Sequence, residues 1–444
     1  VTPARGKISG EFILMKQVNN IKELISKIFN LSQHRLPKRK IKLANNIPLS
    51  DTDYQIVNDI CDIFIAINNS VATELLTPPI GGVFWGKAKP GMGPFELFLR
   101  KNRDEINHLF LLYNCFRDFC ALAYEYDEYT PVPDIWVRRY ASLAQAVKRK
   151  WRVRIPARFG EIGWKIGKYP VNRWTCVNQE RINVMTLAGI TDYLESQNVA
   201  RILEIGGGAG EMGYVFSQAL PNCTWYNCDL LGCLIYSTIQ LAINLPKKQH
   251  CIYIGNLDLP DNLNEKFLIR CPNEAASKQN SIIYIPHFLI EDFKHKLNIH
   301  FAYNTYSFGE MPKESVMRYA ELLSDFLKDR GILFEQNGYF PERGGDNPEI
   351  ILESMFSRVA LPPEFDGRWI PNGPTRIWCN NPTGKNIASF AKHKTVNTII
   401  QALMKCDDKI DIHYPNELLW PKVYTLFSSI QNVEDLYAWN HDSH

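Results

Sequence analysis

Glu204, Gly206, Gly208 and Gly210 alternate through Glu204-Ile-Gly-Gly-Gly-Ala-Gly210, between an apolar run and an amphipathic one. The run from Val199 to Glu204 reads as a short strand ending in an acid. Met212, Val215, Phe216 and Ala219 then recur at helical spacing, so the order is strand, glycine turn, helix. Glycine lets the main chain take conformations closed to other residues and lets a ligand approach the backbone. Gly206, Gly208 and Gly210 are therefore expected against a cofactor.

Two ligands compete for such a turn. Gly208, Gly210 and Gly213 satisfy G-x-G-x-x-G, which taken alone suits a dinucleotide whose pyrophosphate sits on a helix N-terminus. Glu204 ends the strand, however, and Glu211 opens the helix, so a phosphate would meet negative charge. S-adenosylmethionine carries a sulfonium and an ammonium and no phosphate. The full string E-x-G-x-G-x-G resembles the first motif of the Rossmann-like methyltransferases. Asp229, closing the next strand, stands where such folds place an acid on the ribose hydroxyls, a feature that NAD enzymes share.

Methyl transfer to a hydroxyl is an in-line displacement that needs alignment and a base. Ligands in open α/β sheets gather at the carboxyl ends of the strands, and several candidates fall there. Glu310 leads as base. His287 is second, with an adenine-side cofactor contact as its other reading, and His300 is third because it sits inside a strand. Asn304, Ser307, Glu310 and Asn337 can bond a sugar, on which Tyr306, Phe308 or Tyr339 could stack. Ahead of the first strand, Glu161 is a candidate cofactor contact and Trp164 a substrate contact, with Asn172 beside them.

The elements that must position these residues follow from periodicity. Helices are predicted over 178–196, 230–245, 313–328 and 348–359, and strands at 299–304, 331–337 and 375–378. The third strand has two registers, Cys251–Ile254 or Ser281–Ile285. The second is preferred and turns most of 255–280 into an insertion. Residues 15–158 show helical spacing at 21–29, 56–67 and 94–124 and no parallel-strand pattern. The Gly- and Pro-rich stretch 78–94, which holds Phe84 and Trp85, reads as an inter-helix loop or a lid. The expected division is an added leader at 1–14, a helical domain at 15–158, a methyltransferase domain at 159–385 and a helical extension at 386–444.

Composition sets limits. The 444 residues hold 50 Lys and Arg against 47 Asp and Glu, a net charge of +3 that demands neither nucleic acid nor membrane. An apolar fraction of 45% supports a substantial core. The basic runs 37–42 and 148–154 read as solvated faces. The cysteines form no CxxC pair, so reduced thiols are expected rather than a metal site. No apolar run approaches the roughly 18 residues of a membrane span. A cytoplasmic enzyme with a small-molecule partner follows, with a homo-oligomer allowed.

Taken together, these residues resemble the bacterial sugar O-methyltransferases. The likeness rests on Glu204-Ile-Gly-Gly-Gly-Ala-Gly210, Asn304-Thr-Tyr-Ser-Phe-Gly-Glu-Met311 and Gly331-Ile-Leu-Phe-Glu-Gln-Asn337, with Glu161-Ile-Gly and Val171-Asn172 ahead of the core. It implies a Rossmann-like class I methyltransferase core with a mostly parallel seven-stranded sheet behind an α-helical N-terminal domain. It also implies an S-adenosylmethionine-dependent transferase acting on a hydroxyl of a sugar or sugar-bearing metabolite. An NAD-dependent sugar oxidoreductase and a non-catalytic binding protein of the same fold remain the alternatives.

Overall fold

The computed structural model describes residues 50–72, 140–141, 143–154, 156, 164–166, 169–171, 173–327, 331–338, 347–358 and 375–380. Helix α1 (Asp51–Ser70) is followed by a hairpin of β1 (Trp164–Ile166) and β2 (Tyr169–Val171), then by α2 (Arg173–Leu187) and α3 (Ile190–Glu195). The core begins with β3 (Arg201–Ile205), α4 (Glu211–Ala219), β4 (Thr224–Asp229), α5 (Leu231–Asn244) and β5 (Gln249–Tyr253). It continues through β6 (Leu268–Ile269), α6 (Pro272–Ser277), β7 (Ser281–Pro286), β8 (Phe301–Thr305) and α7 (Lys313–Leu327). Strand β9 (Ile332–Gln336), α8 (Pro348–Glu353), β10 (Ser357–Arg358) and β11 (Thr375–Cys379) complete it.

Strands β3 to β11 form one sheet in the order β10-β11-β9-β8-β3-β4-β7-β5-β6. It is parallel except at β11, which runs antiparallel to both β9 and β10. The expected seven strands are nine: both candidate third strands pair, and the two-residue strands β6 and β10 also join the sheet. Strand β7 lies against β4, as preferred from the sequence, while β5 and β6 extend the sheet beyond β7. The insertion therefore carries β6 and α6. From β3 the chain builds outward through β4 to β7 and then returns to lay β8 on the other side of β3. That reversal opens a crevice at the carboxyl ends of β3 and β8, the usual place for a ligand in such sheets.

Parallel strands are buried on both faces and therefore read as apolar runs rather than alternations. Alternate residues feed two separate cores. Ile202, Trp225, Ile282, Phe301 and Phe334 pack toward α1 to α5. Leu203, Tyr226, Ile283, Ala302 and Leu333 pack toward α6 to α8. The result is three layers, helix, sheet and helix.

Local chemistry sets the helix ends. Ser50 accepts from Asp53 N–H at 3.2 Å while Asp53 accepts from Ser50 N–H at 2.9 Å, a reciprocal box that starts α1. The buried face of α1, with Ile60, Ile63, Phe64 and Ile67, joins the same core as α5. Residues 140–154 contribute Leu143 and Trp151 to that core. Of the expected N-terminal helical domain these parts are described, and the helices expected at 21–29 and 94–124, the 78–94 stretch and the tail from 386 lie outside the described residues.

Two helices differ from expectation. The single helix expected over 178–196 is two, because Gly189 takes φ 75 and ends α2 before capping α3. The helix expected over 348–359 stops at Glu353, since Ser357 and Arg358 pair with β11 instead.

Gly213 lies inside α4, and a Cβ there would stand 2.5 Å from the ring of the fully buried Trp225. Gly213→Ala would stabilise a free helix by about 1 kcal/mol. Here it is expected to destabilise the protein by about 1–3 kcal/mol through overpacking. Denaturant unfolding of the two proteins gives the sign.

Candidate functional site

Where β3 gives way to α4, the chain takes left-handed conformations at Gly206 (φ 75), Gly208 (φ 51) and Gly210 (φ 79). The three have different reasons. A Cβ on Gly206 would stand 2.4 Å from Ser307 Oγ, so glycine is needed for the loop after β8 to approach. Gly208 turns its N–H onto Asp229 Oδ2 at 2.7 Å. Gly210 was expected against the cofactor. Instead its missing Cβ faces Leu241 and Ser237, so it lets α4 pack on α5 and does not line the cleft.

A cleft of about 270 Å³ lies over this turn, close to the lower end (~300 Å³) of ligand clefts. Glu204, Gly206, Gly208, Asp229, His287, Ser307 and Glu310 all line it, so the structure brings together most of the residues singled out from the sequence. Asp229 Oδ1 accepts Leu230 N–H at 2.7 Å, so each carboxylate oxygen already holds one backbone amide. Burial pushes Asp229 up to about 6, against the pull of those two amides. Burial and the neighbouring Asp229 hold Glu204 well above the usual carboxylate range, with Arg181 acting in the opposite sense. Glu211, in the first turn of α4, adds a third acid to the lining. Burial raises the Cys233 thiol, and the charges of Asp229 and Glu310 raise it further, which places Glu310 near the first turn of α5. A cation entering this cleft would be favoured by every carboxylate around it.

Two expected substrate contacts do other work. Asn304 is fully buried and donates to Ile205 O at 2.8 Å and to Ser307 Oγ at 2.6 Å. Asn337 donates to Asn304 Oδ1 at 2.8 Å and accepts Gly309 N–H at 3.3 Å. Both lie beneath the loop that presents Ser307 and Glu310, and neither lines the cleft. They are positioning residues, chosen by the sequence reading for their polarity but turned inward.

His300 is not brought to the cleft. It precedes β8 at the opposite end of the sheet, where Nδ1 accepts Arg201 N–H at 3.0 Å, and it cannot serve as the base. Trp164 opens β1 and pairs with Val171. Glu161, Asn172 and Tyr339 lie outside the described residues.

The sequence reading missed Asn178 and Arg181, which reach the cleft from α2. Arg181 Nε donates to Gln336 Oε1 at 2.7 Å, Nη1 donates to Asn178 Oδ1 at 2.8 Å, and the guanidinium lies 5.3 Å from the Tyr306 ring centre. Asn178 in turn donates to Glu211 Oε2 at 2.9 Å. Tyr306 takes φ 69, a value that costs a non-glycine residue energy and is held here by the loop. The signal in the sequence was the run Asn178-Gln-Glu-Arg181, four polar residues that are all buried within one helix.

Among the described residues no helix is long and apolar enough to cross a membrane, and no group of three or more His, Cys, Asp or Glu side chains is placed to hold a metal. No protein-family model and no curated protein matches the chain. Solved structures with partial likeness include a mitomycin 7-O-methyltransferase at 12% identity and TM-score 0.27, aligned over 46% of this chain and 54% of that one. A second is an amino pentose methyltransferase from Micromonospora echinaspora with bound S-adenosylmethionine, at 13% identity and TM-score 0.23 over 38% and 58%. A third is a pyocyanin biosynthetic protein at 11% identity and TM-score 0.28 over 47% and 58%. The chain thus covers between 54% and 58% of these three lengths.

Burial and the nearby Arg201 charge push His300 down to about 4, below the ~6.5 of a free imidazole. Its contribution to stability is complete above that free value and is withdrawn as the pH falls through the folded value. His300→Asn retains an acceptor for Arg201 N–H and cannot titrate. Between pH 7 and pH 5 it is expected to lose less unfolding free energy than the parent protein, and equal losses would show that the ring is not held neutral.

Proposed function

We propose that this chain is an S-adenosylmethionine-dependent methyltransferase acting on a hydroxyl of a sugar or sugar-bearing metabolite. One observation carries the reading: Gly208 N–H is bonded at 2.7 Å to the carboxylate of Asp229. In a dinucleotide site the amides of the glycine turn and the following helix face a pyrophosphate. Here that amide faces an acid, and Glu204 and Glu211 flank it. Such a turn favours a nucleoside that carries positive charge and lacks phosphate, which disfavours the NAD-dependent alternative. An open cleft lined by buried polar groups likewise disfavours a binding protein whose site has been filled in.

In this proposal Gly206 and Gly208 give the ligand access to bare backbone, and Asp229 keeps lone pairs on both oxygens for ribose hydroxyls. Glu204 faces the cationic end, and His287 lies beside the nucleobase. The bound cofactor supplies an electrophilic methyl group. Glu310 accepts the proton of the acceptor hydroxyl, with His287 as the second choice, while Ser307 helps to orient that hydroxyl. Asn304 and Asn337 fix the loop on which Ser307 and Glu310 stand. Glu161 and Trp164 remain proposed contacts from the segment ahead of the core. The sugar class rests on the resemblance in the 304–311 and 331–337 strings and on the polar character of the loop after β8. A cytoplasmic setting belongs to the same proposal.

Calorimetric titration with S-adenosylhomocysteine and with NAD, side by side, is expected to give binding with the first and none with the second. The reverse result would overturn the reading. Glu310→Gln is expected to keep its affinity for S-adenosylhomocysteine. Transfer of labelled methyl groups to a panel of sugars should then fall by about 10²-fold or more. Undiminished transfer would remove Glu310 as the base.

A further inference from the structure

Glu335 is a fully buried acid to which the methyl-transfer scheme gives no task. It stands on β9 between Asn304 of β8 and Arg376 of β11, its partners in register. Arg376 Nη1 donates to both of its carboxylate oxygens, at 2.9 and 3.3 Å, while Nη2 donates to Glu349 Oε2 of α8 at 2.7 Å. Glu349 is shared in turn with Arg358 at 2.7 Å. A pair needed only to fasten β11 would be served as well by apolar side chains, without the penalty of drying two charges. The acid also takes part in a further bond, with the Asn337 side chain.

That bond leads toward the cleft. A carboxylate can only accept, whereas an amide side chain both donates and accepts. Facing Glu335, Asn337 must present its amide nitrogen, which also donates to Asn304 Oδ1 at 2.8 Å, and turn its oxygen to Gly309 N–H at 3.3 Å. The Gly309 bond is long, so by itself it holds the amide weakly. Asn304, its oxygen taken, donates to Ile205 O at 2.8 Å and to Ser307 Oγ at 2.6 Å. Ser307 Oγ is thereby already an acceptor, and its own proton has a 3.3 Å contact to Ile205 O. Each bond in the row takes its direction from the acid at the far end, and the row ends under Ser307 and Glu310, which line the cleft.

We propose that Glu335, bonded by Arg376, is a positioning residue for methyl transfer: through Asn337 and Asn304 it makes Ser307 a hydrogen-bond donor to the sugar and holds the loop that carries Glu310. The inference rests on the methyltransferase reading and adds to it the direction in which Ser307 bonds. Burial raises Glu335 to about 7, against the pull of Arg376 and Asn337 and with Glu349 acting in the same sense as burial. Protonation gives the acid a hydrogen to donate and releases the constraint on Asn337. Transfer that depends on the ionised form is complete above that value and is lost as the pH falls through it.

Glu335→Gln keeps the shape of the side chain, is able to donate, and leaves Arg376 paired with Glu349. Its affinity for S-adenosylhomocysteine is expected to equal the parent's, which reports that it is folded. At saturating cofactor, kcat for labelled methyl transfer to the sugar panel is expected to fall roughly tenfold. The parent's kcat is expected to rise through a step near pH 7 that Glu335→Gln lacks and that Glu335→Asp, still an acceptor when ionised, retains. Deuterium exchange needs no sugar: at one pH the Gly309 amide is expected to exchange about fivefold faster in Glu335→Gln than in the parent. Unchanged Gly309 exchange, an unchanged transfer rate, or a pH step that survives in Glu335→Gln would each overturn the inference. Failure of the parent to bind S-adenosylhomocysteine would instead end the methyltransferase reading, and this role with it.

Discussion

The bond from Gly208 N–H to Asp229 joins the carboxyl ends of β3 and β4. It fixes the glycine turn in a left-handed path and orients the Asp229 carboxylate at the floor of the crevice. Asp229 is kept in place from its other oxygen by Leu230 N–H, at the threshold of α5. The acid can neither leave nor be replaced by a phosphate without freeing both amides. The rest of the site is arranged around that constraint, because a fixed acid beneath a fixed turn sets the sign of charge that the crevice accepts. Glu204 and Glu211 reinforce the same sign, and Arg181 is the opposing charge among the buried side chains of the lining.

Much of this was legible in the sequence for a physical reason. A glycine turn between strand and helix is a local event, so its residues name themselves by spacing. Gly206 and Gly208, with Glu204 and Asp229, came out together because each is required by backbone geometry or by a strand end. The parallel strands were legible as apolar runs, since both of their faces are covered. What spacing could not say was the direction of a polar side chain. Asn304 and Asn337 have the same chemistry whether they face ligand or scaffold, and only the tertiary path of the 306–310 loop decides that they face inward. His300 sits on the same strand segment as true cleft residues but at its far end.

Arg181 is the clearest case of a residue hidden from sequence. It lies 23 positions before Glu204, and its partner Gln336 is 155 positions away, so nothing local marks it. The strand count was hidden for a different reason. Two equally apolar segments competed for one place, and the sheet accommodates both by widening. On the far side, β11 is fastened by Arg376, which bonds Glu335 at 2.9 Å and Glu349 at 2.7 Å. Burial raises Glu335 to about 7 even with Arg376 beside it, so this antiparallel strand is attached through a charge pair in a dry setting rather than by apolar contact alone.

The widened sheet has one more consequence. Its two outermost described strands, β6 and β10, are two residues long each. A flat, unpaired strand edge is a template on which another chain can continue the hydrogen-bond ladder, and proteins commonly blunt such edges by shortening them. Each covers only two residues of its five-residue neighbour, Ile252 and Tyr253 of β5 and Trp378 and Cys379 of β11. Among the described residues the sheet therefore ends at each margin on a stub, which offers an added strand little length to pair with.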